Sequence, residues 1–194
     1  MSGVLVPIVE GQSEVQSIGG LLRRMIADLG IHDVGVARPF RVKRSQVVRE
    51  GELERAVTQA VRSRAGATGV LVLLDADDDC PANLAPRLRG RGAKMTNLPV
   101  MVVFAKAETE TWILAAVDSV RGCRGIRDDA TPPADPEEVR DAKSALSIRM
   151  EGSRGYLATD DQPALLSMLD LDLAAQRSPS FAKLARDVAA LVSA

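Results

Sequence analysis

Residues 71–79 read Leu-Val-Leu-Leu-Asp-Ala-Asp-Asp-Asp, an apolar run that ends in the alternating carboxylates Asp75, Asp77 and Asp79. An apolar stretch with acid only at its end predicts a strand, Val70–Leu74, in a parallel sheet covered on both faces. Upstream, Val4–Val9 forms a second such strand and runs into Glu10-Gly11-Gln12-Ser13-Glu14. Two strands that each deliver acid at the carboxyl end point to magnesium, a hard cation that takes oxygen ligands and keeps several waters. In an open parallel sheet, the carboxyl ends of the strands are also where ligands bind. The competing reading of Asp75–Asp79 is a solvated acidic turn that caps the helix opened by Pro81. Capping accounts for one or two acids; the full run repels itself unless a cation lies among its members.

Outward from these strands, Ser13 is placed to cap a helix running to about Leu29, with Val15, Ile18, Leu21, Leu22, Met25 and Ile26 at helical spacing and Gly30 ending it. Pro7 removes a ladder donor, so the first strand is expected to pair on only one side there. A strand Val34–Val42, a helix from Glu52 to about Ser63, a short helix from Pro81 to about Leu88, a strand Pro99–Ala105 and a helix beginning at Thr109 complete an alternating pattern. This predicts an α/β fold: a mostly parallel sheet with helices on both faces. Residues 122–136, with three prolines, read as a linker or long surface loop. Helices are expected near Glu137–Met150, Gln162–Leu169 and Phe181–Val192. The expected organisation is an α/β core over 1–120, a linker over 121–136 and a C-terminal helical extension over 137–194.

The 25 Lys plus Arg nearly balance the 26 Asp plus Glu, so overall charge does not by itself argue for nucleic acid. Acids gathered in one site would nevertheless leave the remaining surface net positive. No window approaches a membrane span and no signal sequence is evident, so a soluble cytoplasmic protein is expected. Two cysteines are too few for a disulfide framework or a zinc cage, and the one histidine, His32, reads as a turn residue rather than a catalytic base.

Glu10-Gly11-Gln12-Ser13 followed by Asp75-Ala76-Asp77-Asp78-Asp79 resembles the two signatures of the Toprim domain, over roughly the first 110 residues. That domain occurs in type II topoisomerases, bacterial primases, recombination mediators and the overcoming-lysogenisation-defect nucleases. Nearly the whole chain is similar to an uncharacterised bacterial family of Toprim-like proteins, often encoded beside a chromosome-segregation-type ATPase. Further shared segments are Glu108-Thr109-Glu110-Thr111-Trp112, Tyr156–Gln162 and Ser180-Phe181. The resemblance implies that Glu10 is a general acid/base or metal ligand. It also implies that Asp75 and Asp77 bind Mg2+ (or Mn2+), with Asp79 as a possible third ligand. Glu108 and Glu110, after the next strand, are candidates to close the same cluster; as an alternative, they are anions stabilised at a helix N-terminus. Lys106 is a candidate to neutralise a phosphate at this edge. Arg41, Lys43 and Arg44 on one side, and Arg87, Arg91 and Lys94 on the other, are candidates to attract nucleic acid, against the plain reading of solvated side chains. Arg140 and Lys143 lie three apart on an expected helix and could touch a phosphate backbone, although such pairs mostly face solvent.

Among Toprim reactions, strand passage needs large gate domains, and priming needs template-binding modules that this chain lacks. Metal-dependent hydrolysis of DNA or RNA remains, as the nuclease subunit of an anti-phage system working with a separate ATPase. No Gly-rich phosphate loop occurs in the chain, so any ATPase is a separate partner. The alternative is a non-catalytic interaction module of an ATPase complex whose metal site is degenerate. Self-association is left open.

Overall fold

Pro7 decides the shape of one edge of the sheet in the computed structural model, which describes residues 3–193. Strand β1 (Gly3–Val9) pairs on one side with β4 (Ala67–Asp75), with Pro7 opposite Leu71. On its other side, the Leu5 and Val9 carbonyls accept hydrogen bonds from the Ala37 and Val42 amides at 2.9 and 2.8 Å. Backbone groups alternate along a strand, so Pro7 faces that same side and has no N–H to offer. The outer strand lapses there. The expected strand Val34–Val42 is therefore split into β2 (Val34–Val36) and β3 (Phe40–Arg41), both parallel to β1, with Pro39 in the gap.

The strand order is β2-β1-β4-β5, with β5 spanning Val100–Ala105, β3 continuing the β2 edge, and every pairing parallel. The chain leaves β1 toward β2 and later returns to the opposite side of β1 as β4. The gap between the carboxyl ends of β1 and β4 is thus a topological switch point. Helices α1 (Gln12–Asp28), α2 (Arg44–Val47), α3 (Glu52–Arg62) and α4 (Pro81–Ala93) belong to this half of the chain. After β5 come α5 (Glu110–Ala115), α6 (Ala142–Ile148), α7 (Ala158–Met168), α8 (Leu171–Arg177) and α9 (Pro179–Val192). The molecule is an α/β fold with a C-terminal run of helices.

Alternation along the strands builds two apolar layers. Leu5, Val9, Leu71, Leu73, Val103 and Ala105 face α1 and the C-terminal helices, whereas Val6, Ile8, Val70, Val72, Leu74 and Phe104 face α3 and α4. Asp75 follows Leu73 by two residues, so its side chain belongs to the α1 layer. In that layer Trp112 meets Phe181 edge-on, with centroids 5.4 Å apart, and both side chains are fully buried. The C-terminal helices therefore share one core with the sheet. Residues 122–136 also contribute to it: Ile126 and Ala130 are buried, and Ile126 bridges to Met150.

Two helices lie outside the sequence expectation. Four-residue α2 and seven-residue α8 are too short to show a helical period. Helix α4 runs five residues past Leu88 because Gly92 allows close approach; a Cβ there would meet Val100 Cγ1 at 3.2 Å. On the open edge of β5, Lys183 Nζ donates to the Val102 carbonyl at 3.4 Å, and the Lys106 amide donates to Ser180 Oγ at 3.4 Å.

Phe181→Ala is expected to cost about 3–5 kcal/mol, the usual range for deleting a buried aromatic. Leu157→Ala, at a half-exposed position, is expected to stay within roughly 0.5 kcal/mol. Urea unfolding of both variants tests whether the C-terminal helices share the core; near-equal midpoints would contradict it.

Candidate functional site

The site begins with the space at Gly11. A Cβ there would lie 2.1 Å from Glu14 Oε2, so only glycine lets the Glu14 carboxylate fold back over the start of α1. Glu14 is nearly buried and its Oε1 accepts from Ser13 Oγ at 3.0 Å and from Gln162 Nε2 at 3.3 Å. Gln162 is itself fixed by Ser17 Oγ, which donates to Gln162 Oε1 at 2.8 Å. Ser13, expected as a cap, instead serves Glu14, and Gly11 occupies the N-cap position.

Two loops at the carboxyl edge are zipped together. The Ala76 amide donates to the Ala105 carbonyl at 2.8 Å and the Asp77 amide to the Ala107 carbonyl at 3.1 Å. Asp77 and Ala107 both adopt the left-handed region, with φ of 49° and 58°. Aspartate tolerates that conformation, whereas for alanine it costs about 1–2 kcal/mol. Strain held in this way tends to accompany functional loops. The paired loops set Thr109 beneath Asp75: the Thr109 amide and Oγ1 both donate to Asp75 Oδ1, at 2.9 and 2.8 Å.

Around this frame six carboxyl groups interact. Burial holds the Asp75 carboxyl well above its ordinary range, and Glu14, Glu110 and Glu10 add to the rise against the pull of Thr109. Burial likewise raises Glu10, opposed by the Arg44 guanidinium and the Asp75 amide and reinforced by Asp77 and Glu14. Glu110 is 1% exposed and raised by burial, with Lys143 opposing and Glu108 and Glu14 reinforcing. One oxygen each of Glu10, Glu108 and Glu110 is buried with no hydrogen-bond partner. The structure thus brings Glu10, Asp75, Asp77, Glu108 and Glu110 to one edge of the sheet.

Two cations border these acids. Arg44 donates to the Asp75 carbonyl at 2.5 Å, pairs with Asp79 and lies over the Phe104 ring. Asp79 is thereby held by Arg44. From α6, Lys143 Nζ reaches Glu108 Oε1 at 2.8 Å and Glu110 Oε2 at 3.7 Å. Burial works to lower Lys143, yet the Glu108 hydrogen bond and the charges on Glu110, Glu108 and Asp75 hold it above its ordinary value. The Tyr156 hydroxyl donates to Glu110 Oε1 at 3.4 Å, and burial beside that carboxylate pushes its ionisation far up.

The other candidates lie differently. Lys106 Nζ pairs with Glu138 at 3.1 Å. Arg41 and Lys43 are exposed on the β3 side, and Arg41 Nε donates to the Glu10 carbonyl at 3.2 Å. Arg87 is exposed on α4. Arg91, in the last turn of α4, is held by Glu54 at 2.7 Å and by the Val48 and Arg49 carbonyls, and Lys94 caps the same end. Since α4 runs back toward the start of β5, Arg91 and Lys94 lie far along it from the acidic edge. Arg140 stays exposed, 3.9 Å from Asp78.

Glu14, Thr109, Lys143, Tyr156 and Gln162 join the site although sequence reasoning did not place them there. The signals were present for Glu14, which lies within the Glu10–Glu14 run, and for Tyr156–Gln162 as a shared segment. Nothing in the spacing aims Lys143 at Glu108.

The fit to a divalent ion has two sides. Hard oxygen donors with no other partner are what such an ion takes. Yet among the described residues no three histidine, cysteine or carboxylate side chains stand in an arrangement ready to hold a metal. No helix among them is long and apolar enough to cross a membrane.

A family profile described as a domain of unknown function, DUF4276, matches residues 9–189. The chain belongs to that family. The match runs from the end of β1 to residue 189 within α9, so the acidic edge and most of the C-terminal helical run fall inside it. No significant match to a curated protein or to a solved structure was found.

Three raised carboxyls make stability depend on pH in a definite direction. Unfolded, these groups ionise near pH 4. Between there and their raised folded values, the folded chain binds more protons than the unfolded one, so their contribution weakens as pH rises. Asp75→Asn keeps the Oδ1 acceptor for Thr109 and removes the charge. Its melting temperature is expected to exceed that of the wild type at pH 7–8, by about 2–4 °C for each kcal/mol of repulsion relieved, and to converge with it near pH 4. A lower melting temperature at pH 8 would contradict the repulsive cluster.

Proposed function

We propose that the acidic edge binds Mg2+ or Mn2+ and hydrolyses phosphodiester bonds of DNA or RNA, in the manner of a Toprim nuclease. The observation that carries the reading is the set of buried oxygens without a hydrogen bond on Glu10, Glu108 and Glu110. Glu10 and Asp75 flank the switch point of the parallel sheet, and Glu108 and Glu110 follow the neighbouring strand β5. Buried polar atoms nearly always find a partner, so three orphans on one edge support a ligand there.

Glu10, Asp75 and Asp77 would hold the ion, with Glu108 and Glu110 completing its surroundings. A bound divalent ion polarises a phosphoryl oxygen and lowers the pKa of water. A Glu10 carboxyl that is not itself a ligand of the ion suits instead the transfer of a proton from the attacking water and its return to the leaving oxygen. Arg41 and Lys43, exposed beside Glu10, would draw the phosphate backbone toward an otherwise repellent edge. Lys106 would reach a phosphate only on leaving Glu138. A separate ATPase subunit and an anti-phage setting belong to the same proposal and rest on the resemblance alone. The absence of a ready ligand cage among the described residues favours the second reading, an interaction module of an ATPase complex.

Plasmid, single-stranded DNA and total tRNA, each incubated with the protein and Mg2+ or Mn2+, distinguish the two. The nuclease reading expects metal-dependent cleavage that falls about 10²–10⁴-fold in Glu10→Gln, the span of a lost acid/base, with a comparable loss in Asp77→Asn. Absence of cleavage by the chain alone and by its ATPase complex, with the complex intact in both variants, would establish the module instead.

A further inference from the structure

The acidic edge already contains a cation. Lys143 Nζ lies 2.8 Å from Glu108 Oε1 and 3.7 Å from Glu110 Oε2. These residues also carry two of the three orphan oxygens, and Asp75 adds to the field on the ammonium. We infer that Lys143 is a tethered counter-ion which competes with a divalent cation for Glu108 and Glu110 and is displaced when the ion binds. The inference rests on the metal-binding reading of the same edge.

Three features favour displacement over a fixed ion pair. Lys143 occupies the second position of seven-residue α6, near a helix end, and the chain before it is irregular. Its side chain is 45% exposed, so the ammonium has a path to solvent. Glu110, by contrast, is 1% exposed and pinned by Tyr156, so the acid stays when the cation leaves. A lysine holds its partners as a compact point charge on a flexible stem, which makes it a better removable ion than an arginine fork. The device keeps buried carboxylates from repelling one another without a divalent ion. The same contact couples ion binding to the position of α6.

Chelator-treated wild type, Lys143→Met and Lys143→Arg are to be compared by calorimetric titration with MnCl2 and by thermal melting in chelator. Lys143→Met is expected to melt lower than wild type without metal and to bind Mn2+ about tenfold more tightly, the scale of one charge-assisted hydrogen bond. Lys143→Arg is expected to bind no more tightly than wild type. If wild type binds Mn2+ and Lys143→Met binds it equally or less tightly, the counter-ion role is overturned and the metal reading survives. If neither binds, both fall. Binding gained only in Lys143→Met supports the inference. Should Lys143→Met not fold, hydrogen exchange of wild type decides: Mn2+ should speed exchange across residues 142–148, and unchanged or slower exchange overturns the inference.

Discussion

Carboxylates crowd together at the ends of β1, β4 and the loop after β5, and the surrounding structure is arranged to bear that repulsion. Parallel pairing places the strand ends side by side, and the reversal of strand order at β1 opens a gap above them. Like charges in a half-buried gap are unfavourable, and several of the acids acquire a specific restraint. Thr109 holds Asp75 through two hydrogen bonds, Gln162 holds Glu14, and Tyr156 holds Glu110. Arg44 braces the Asp75–Asp79 loop from one side, and Lys143 faces Glu108 from the other. These restraints come from distant parts of the chain. Gln162, Tyr156 and Lys143 all lie beyond residue 140, and only the shared core of sheet and C-terminal helices brings them to the edge.

That dependence explains why the family profile extends almost to the end of the chain. The residues up to Glu110 supply the acids and the last third supplies much of what surrounds them. Arg24 ties the two further, donating to the Leu166 and Leu169 carbonyls at 2.8 Å each. A protein retaining unfavourable charge at a strand edge is giving up stability locally.

The sequence disclosed the layer architecture because its strands are apolar on both faces and its main helices carry a full period. Pro7 foretold the weakened edge, and Pro39 sharpened the break. Glu10, Asp75 and Asp77 were legible because strand ends in a parallel sheet are predictable meeting points. Arg44 and Asp79 were not legible as a pair, since a charge run gives no hint of which member turns inward. Lys143 looked like a solvent-facing residue, because helical spacing reveals a neighbour on the same helix but not a partner 35 positions away. Residues 122–136 read as a surface loop from their prolines, while the buried Ile126 and Ala130 show that irregular backbone can still supply core.

The open side of β5 has a consequence of another kind. An unpaired outermost strand invites a neighbouring chain to add to the sheet. Here the Lys183 ammonium bonds the Val102 carbonyl and Ser180 receives the Lys106 amide, so α9 supplies side-chain stoppers where a foreign backbone would otherwise bond. The last helix thus takes up two backbone groups that an added strand would need, as well as completing the interior.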